Sequence, residues 1–390
     1  VVKGEKVNYF LTEEQLMIRN LARKIAEEKV APVRAHYDET GEFPWEIVRY
    51  LAESDLCGVY IPEEYGGMGY GVFEMCLVVE ELSRVCGGIA LAFAGTGLGT
   101  FPILLFGNEE QKRKYLPPIA RGEKLAAFAV TEPEAGSDIT VLKTTARKEG
   151  DFYILNGTKQ WITNGGEAEV YTVIATTDRS KGPRGATAFI LEKGMPGFSF
   201  GKKENKLGIR ASATRELIFQ DCRVHKSQVL GREGMGFLIT IKNFDTSRPG
   251  VAAQALGIAQ GAFEAALSYA HQRQQFGQRI SSFQAIQHLL ADMATQIEAA
   301  RALVYQAARL IDAGEKDVSM ESAMAKLFAS DTAMKVTTEA IQIFGGYGYM
   351  KEYPVEKMFR DAKITQIYEG TNQIQRNVIA LELIKRLKKT

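Results

Sequence analysis

Apolar residues fall at helical spacing through Leu16, Ile18, Leu21, Ala22 and Ile25, behind a Thr12-Glu13-Glu14-Gln15 capping box, so the pattern predicts an opening helix that Pro32 ends. Another helix is expected from Pro44 and Trp45. Residues 61–71 hold too many turn formers for regular structure, and helical text resumes near Phe73. Asn108-Glu109-Glu110-Gln111 caps one more helix. From residue 126 the period shortens, and 152–155, 170–175, 186–191 and 216–219 are short β-prone runs divided by Gly, Asn and Pro turns. Beyond the glycine-rich 231–236 segment, long helical periodicity returns, broken near Phe276-Gly277, Ala313-Gly314 and 345–349. The apolar face of Leu289, Leu290, Met293, Ile297 and Ala300 there argues for a bundle. The resulting α+β division is an all-helical segment 1–125, a β segment 126–234 and a helical segment 235–390.

Composition changes the picture mainly by exclusion. With 390 residues and 45% hydrophobic content the chain can bury a large core in more than one domain. Lys plus Arg (48) balances Asp plus Glu (47), which excludes a nucleic acid or an anionic membrane as a charge-selected partner. Cys57, Cys76, Cys86 and Cys222 lack C-x-x-C spacing, and three of them lie in apolar surroundings as small hydrophobes, which fits a reducing compartment. His36, His225, His271 and His288 are dispersed, so no metal site is expected. No apolar run is read as reaching the length of a membrane span, and the first ten residues carry no hydrophobic signal core, so a soluble intracellular protein is expected.

Two glycine clusters imitate phosphate loops, within residues 66–71 and in Gly95-Thr96-Gly97-Leu98-Gly99. Neither lies in a strand-turn-helix context, and Thr100 stands where the second cluster needs its third glycine, so neither is a dinucleotide fingerprint. Small residues inside a helix instead let a substrate tail or a neighbouring helix pass close to the backbone.

Candidate chemistry centres on Tyr368-Glu369-Gly370-Thr371. Gly370 frees the chain to turn, Asn372 is expected to cap a helix with Gln375 as its partner, and Glu369 stands at that helix mouth. By spacing alone it is equally a carboxylate favoured by the helix dipole.

Four further motifs accompany it: Phe128-Ala129-Val130-Thr131-Glu132-Pro133-Glu134-Ala135-Gly136-Ser137-Asp138, Trp161-Ile162-Thr163-Asn164-Gly165, Arg273-Gln274-Gln275-Phe276-Gly277 and Gln342-Ile343-Phe344-Gly345-Gly346. In these segments, their order and their separations, the chain resembles the acyl-CoA dehydrogenases, on the short- and medium-chain, butyryl-CoA dehydrogenase-like side. The resemblance implies a helical domain, a small β-barrel or sandwich and a C-terminal four-helix bundle. It also implies α,β-dehydrogenation of an acyl-CoA thioester to the trans-2-enoyl-CoA, with Glu369 taking the α proton while the β hydrogen leaves as hydride to flavin N5. The thioester carbonyl would be polarised by the Glu369 N–H and a flavin ribityl hydroxyl. Such chemistry needs a hydride acceptor that no side chain supplies. Without a nicotinamide fingerprint or a metal cluster a flavin fits by elimination, and the resemblance specifies FAD.

Carried over residue by residue, the resemblance puts Phe128, Val130, Thr131, Gly136 and Ser137 around the flavin, with Ser137 also reaching the substrate. Trp161, Ile162 and Thr163 would meet the ring system, Trp161 and Thr163 being two apart and so expected on one strand face. Arg273, Phe276, Gln284, Gln342, Ile343, Gly345 and Gly346 would reach FAD held mainly by an adjacent subunit, implying a homotetramer. Thr371 and Gln373 complete the cofactor set, while Asp245, Arg248 and Gly370 would contact substrate. An Asp and an Arg three apart on a helix are otherwise a surface ion pair. Electron-transferring flavoprotein is the implied acceptor, in a bacterial cytoplasm or a mitochondrial matrix.

Some relatives carry their base on the helix of Asp245 and Arg248, but here Glu369 occupies the loop. A glutaryl-CoA dehydrogenase needs a cation where residues 88–101 are uncharged. An acyl-CoA oxidase, an enoyl-CoA reductase and a catalytically silent scaffold are the remaining alternatives. If the helix of Gly95, Gly97 and Gly99 lines the acyl pocket, the glycines leave room for an uncharged group bulkier than butyryl; otherwise they serve helix packing.

Overall fold

The computed structural model of the chain describes residues 9–387. Six helices come first: α1 (Glu13–Ile25), α2 (Arg34–Thr40), α3 (Trp45–Glu53), α4 (Val72–Val85), α5 (Gly87–Phe106) and α6 (Glu109–Ala120). Two begin as their local sequence dictates, since Thr12 with Gln15 and Asn108 with Gln111 form reciprocal capping boxes. The start of α4 is different. Its first two N–H groups, on Val72 and Phe73, donate at 2.7 and 2.8 Å to the carboxylate of Asp312, which belongs to the far end of the chain. Gly71 is small for that reason: a Cβ there would stand 2.3 Å from Asp312 Oδ1.

Eight strands follow: β1 (Ala126–Ala129), β2 (Thr145–Glu149), β3 (Phe152–Thr163), β4 (Val170–Thr176), β5 (Ala186–Glu192), β6 (Phe198–Phe200), β7 (Thr214–His225) and β8 (Val229–Leu230). They form one sheet in the order β6-β7-β3-β2-β4-β5-β8, with β1 paired parallel to β4. Alternation sets its two faces. Ala126, Phe128 and Val130 turn toward the helices, whereas Ala127 and Ala129 join a second core with Tyr171, Phe189 and Phe219.

The chain then runs through α7 (Gly236–Gln272), a small hairpin of β9 (Gln274–Gln275) and β10 (Gln278–Arg279), α8 (Gln284–Asp312), α9 (Ser319–Phe344), α10 (Val355–Ile364) and α11 (Asn372–Leu387). The 37-residue α7 is the axle, packed on α4, α5, α8 and α9. It meets α4 backbone to backbone, since a Cβ on Gly257 would lie 2.2 Å from Glu80 O and one on Gly261 1.9 Å from Arg84 O. The first and last helical segments therefore share one continuous core, from Leu11 to Ala362. Each fully buried Leu, Ile, Val or Phe in it contributes about 1.5–3 kcal/mol.

Helix α5 overturns two expectations. It is long and apolar enough to cross a membrane by length and composition, contrary to the reading that no stretch reaches that length; most of it is buried inside the protein, so its apolarity serves the core. Its glycines also do not simply enlarge a pocket. A Cβ on Gly99 would be 2.4 Å from Ala127 N, one on Gly97 3.0 Å from Met75 Sδ and one on Gly95 2.7 Å from Thr163 Cγ2. These are close-packing glycines, and of the three only Gly95 lines the cavity described next.

Candidate active site

Between α4, α5, α7 and the sheet lies a narrow cavity of about 100 Å³. Met75, Leu91, Leu98, Phe244 and Val251 make it apolar, and Thr131, Thr163, Ser247, Gln254, Tyr368 and Glu369 add polar groups. Among the described residues, Glu369 is the only charged one in its lining. The Tyr368 hydroxyl donates to Gln254 Oε1, and Gln254 Nε2 donates to Gly87 O at 2.9 Å, so these two side chains brace each other across the cavity wall.

Glu369 arrives on a turn between α10 and α11 in which it sits at φ +51° and Gly370 at φ +91°. Thr371, not Asn372, caps α11: its hydroxyl accepts from the Ile374 N–H at 3.3 Å and its carbonyl from the Gln375 N–H at 2.9 Å. Asn372 is already helical, and its side chain is engaged by Lys326, Ser330 and Asp331 of α9, which leaves it unable to cap. Nor does Gln375 complete a capping box; its amide donates to the carbonyls of Glu369 and Gly370 at 3.1 and 2.9 Å.

The carboxylate of Glu369 accepts a 2.5 Å hydrogen bond from the Ser247 hydroxyl. Burial pushes its pKa up to about 6, against the Ser247 hydrogen bond and the charges of Arg248 and Lys326. Asp245 and Arg248 do not form a surface pair. Both are buried, 3.3 Å apart, with Arg248 Nε donating to Glu369 O at 3.3 Å and Asp245 held by Ser319 of α9 at 2.6 Å. They support the turn from beneath.

Trp161, Ile162 and Thr163 all line the cavity, which simple strand alternation forbids. The cause is a bulge: the pairing of β3 with β7 shifts register between Lys159 and Ile162, and Trp161 takes φ +60° with its indole 59% exposed. Phe128, Val130 and Thr131 form the adjoining wall. That segment is tied to β3 by the fully buried Lys159, which donates to Val130 O at 2.9 Å and Glu132 Oε1 at 2.7 Å. Gly136 and Ser137 are exposed further along the same loop, outside the cavity lining.

Among the described residues, the hydroxyls of Thr131 and Thr163, the indole N–H of Trp161 and the backbone N–H of Glu369 have no protein hydrogen-bond partner, though all four residues line the cavity. A planar polar cofactor above Trp161 and a carbonyl beside Glu369 fit that set of free donors.

A second depression, about 460 Å³ and open to solvent, gathers Arg273, Ile343, Gly345 and Gly346 with Tyr269, Tyr347 and Met350. The Arg273 guanidinium lies over the Tyr347 ring at 5.6 Å. Phe276 tips the β9–β10 hairpin, 93% exposed, at φ +53° followed by Gly277 at φ +76°. Gln284, Gln342 and Gln373 are exposed, while Thr371 is half-buried at its capping position. The two depressions share no lining residue.

Models of the acyl-CoA dehydrogenase N-terminal, middle and C-terminal domains match residues 12–123, 127–222 and 234–384. The chain belongs to the acyl-CoA dehydrogenase family. These are oxidoreductases acting on CH–CH groups. A chain solved in work on the electron transferring flavoprotein of Acidaminococcus fermentans is 53% identical, with a TM-score of 0.94 over 96% of this chain and 99% of that one. Butyryl-CoA dehydrogenase from Megasphaera elsdenii is 49% identical, with a TM-score of 0.94 over the same shares. An acryloyl-CoA reductase (NADH) of Anaerotignum propionicum is 49% identical over 98% of this chain and 97% of its own.

Within this acyl-CoA dehydrogenase, three residues that shape the site went unremarked in the sequence: Ser247, Gln254 and Lys326. Only Lys326 left a signal, as a charge on the buried Ala323, Ala329 and Ala333 stripe of α9.

Proposed function

We propose that the protein oxidises a short, uncharged acyl-CoA thioester to its trans-2-enoyl-CoA, with Glu369 as the α-proton base. The observation that carries this reading is a single carboxylate in an apolar cavity, with a free backbone N–H on the same residue and the Trp161–Thr163 bulge in the same lining. A base with a pKa of about 6 is ionised at neutral pH yet basic enough to share a proton with an activated α carbon. The unpaired Glu369 N–H is the donor for the thioester oxygen as negative charge builds there.

The cofactor is FAD, held by Phe128, Val130, Thr131, Trp161, Ile162 and Thr163, and when bound it supplies the acceptor for the hydride that leaves the β carbon. Ser137 and Gly136, on the exposed loop beyond, suit its phosphate end. Arg273, Phe276, Gln284, Gln342, Ile343, Gly345 and Gly346 form a separate surface that serves the FAD of a neighbouring copy, so the working form holds at least two copies, and the family resemblance supports a homotetramer. Thr371 and Gln373 belong to that cofactor environment.

The paired Tyr368 and Gln254 side chains favour a chain of about butyryl length. This replaces the expectation of a bulkier group, because Gly97 and Gly99 are spent on packing. With no cation in the lining, a distal carboxylate would go unpaired at a cost of several kcal/mol, which disfavours glutaryl-CoA. Electron-transferring flavoprotein is the electron partner that the Acidaminococcus relative supports, and the bacterial relatives favour the cytoplasm.

The acryloyl-CoA reductase relative favours a second reading, the same chemistry run toward the saturated thioester with Glu369 returning the proton. Anaerobic titration of the purified flavoprotein with butyryl-, octanoyl- and glutaryl-CoA, watching flavin absorbance, tests the first reading. Butyryl-CoA should bleach most efficiently, and Glu369→Gln should slow bleaching by about two powers of ten or more. Preference for glutaryl-CoA, or an unimpaired Glu369→Gln, would refute it. Reoxidation of the reduced protein by crotonyl- or acryloyl-CoA measures the reverse direction.

A further inference from the structure

The turn carrying Glu369 is bent into a conformation that L-residues seldom adopt, and such a bend persists only where its surroundings over-determine it. Here the surroundings are donors. The Glu369 carbonyl receives Arg248 Nε and Gln375 Nε2, and the Gly370 carbonyl receives Gln375 Nε2 and, at 2.8 Å, the ammonium of Lys326. A second Lys326 donor reaches Asn372 Oδ1 at 3.0 Å, on the first residue of α11. Lys326 thus holds the turn and the helix that follows it at once.

Lys326 has no accessible surface, and among the described residues no carboxylate stands within ion-pair distance of it. A buried ammonium paired only with neutral acceptors is expensive, and a methionine or leucine would fill the same space without that cost. Retaining it in the apolar stripe of α9 calls for a role that packing does not supply. Burial pushes its pKa down to about 7, with the Glu369 charge opposing. A neutral amine still has two N–H groups, enough for both contacts.

We propose that Lys326 is a positioning residue for proton abstraction: by holding the Gly370 carbonyl and the Asn372 side chain it locks the turn that aims the Glu369 carboxylate and N–H at the thioester. With the Glu369 carbonyl held by Arg248 and Gln375, fixing the Gly370 carbonyl and the start of α11 from α9 fixes the direction in which the side chain and N–H of Glu369 leave the backbone. The inference rests on Glu369 being the base.

The test uses the FAD-loaded protein as Lys326→Met and Lys326→Gln. Both should keep flavin content, assembly and acyl-CoA affinity, while the rate of flavin reduction by butyryl-CoA falls about 10- to 100-fold in Lys326→Met and less in Lys326→Gln, which keeps one donor pair. The second reading is infrared: the carbonyl stretch of bound crotonyl-CoA, labelled with carbon-13 at the carbonyl, should lose part of its wild-type downshift in Lys326→Met, which a merely structural loss would not produce. A wild-type rate and full downshift in whichever variants fold would overturn the proposal. So would failure of both to fold and hold flavin, since the lysine would then sustain the fold and not the turn. An inactive Glu369→Gln beside a fully active Lys326→Met removes this inference alone; an active Glu369→Gln removes the reading on which it stands.

Discussion

Ser247 on α7 donates its hydroxyl proton to the Glu369 carboxylate at 2.5 Å, joining residues that lie 122 positions apart. A hydrogen bond to the charged form of an acid favours that form. Removing it with Ser247→Ala should therefore raise the pKa of Glu369 above about 6 and, with Glu369 as the proposed base, move the rising acid limb of kcat/KM to higher pH. The expected displacement is about half to one pH unit, the scale of one hydrogen bond. A pH profile of kcat/KM for butyryl-CoA on both proteins measures it, and an unmoved limb would separate Ser247 from the base.

Lys159 and Glu132 form the buried pair behind the Val130–Thr131 wall. Burial pushes Glu132 up, but the Lys159 charge and hydrogen bond, with the Lys143 N–H, more than offset it and hold the carboxyl below its ordinary range. Its stabilising contribution in the wild type is thus present above the ordinary carboxylate pKa and fades as pH falls below it. Lys159→Met leaves the buried carboxylate without a counter-charge, held only by the Lys143 and Thr144 N–H groups, with an expected loss of about 3–5 kcal/mol at neutral pH. The sign then reverses: with Glu132 held up by burial, the variant should gain stability as pH falls from 7 to 5. Thermal unfolding at those two pH values decides it.

Gln254 and Tyr368 brace each other in the wall of the cavity proposed to take the acyl chain. Gln254→Ala opens space there and leaves the Gly87 carbonyl and the Tyr368 hydroxyl without that partner. Stability should drop by about 1–3 kcal/mol, while the ratio of kcat/KM for hexanoyl-CoA over butyryl-CoA rises. Competition assays with the two thioesters give the ratio directly, and an unchanged ratio would place the limit on chain length elsewhere.

Arg273 is exposed in the second depression, its guanidinium over the Tyr347 ring and its charge near Tyr269. If that surface serves a neighbouring copy's FAD, Arg273→Ala should release flavin more readily on dilution and leave acyl-chain preference unchanged. Sedimentation of the flavin-loaded wild type tests the same surface independently, because a flavin-saturated monomer at micromolar concentration would leave Arg273 and Phe276 without that role.

Much of the architecture is local and was therefore readable in the chain. Thr12 and Asn108 cap helices because their partners lie three residues away, and the strands beginning at Phe152, Val170 and Ala186 announce themselves by β-prone runs between turn residues. The Tyr368-Glu369-Gly370 segment marked the candidate base through its resemblance to a family motif, since spacing alone fits a carboxylate favoured by the helix dipole. Tertiary structure decided what depends on residues that meet only after folding. Asn372 loses its capping role to Thr371 because α9 claims its side chain. Gly97 and Gly99 look like room for a substrate until Met75 and the Ala126–Ala127 backbone fill the space. Trp161 leaves strand alternation because β7 pairs with β3 out of register, and Asp245 with Arg248 becomes a buried support instead of a surface pair because the Glu369 turn and α9 cover it. Periodicity records which face of an element is apolar; which backbone, donor or helix arrives on that face is set by contacts between distant segments, and so are the pKa and aim of Glu369.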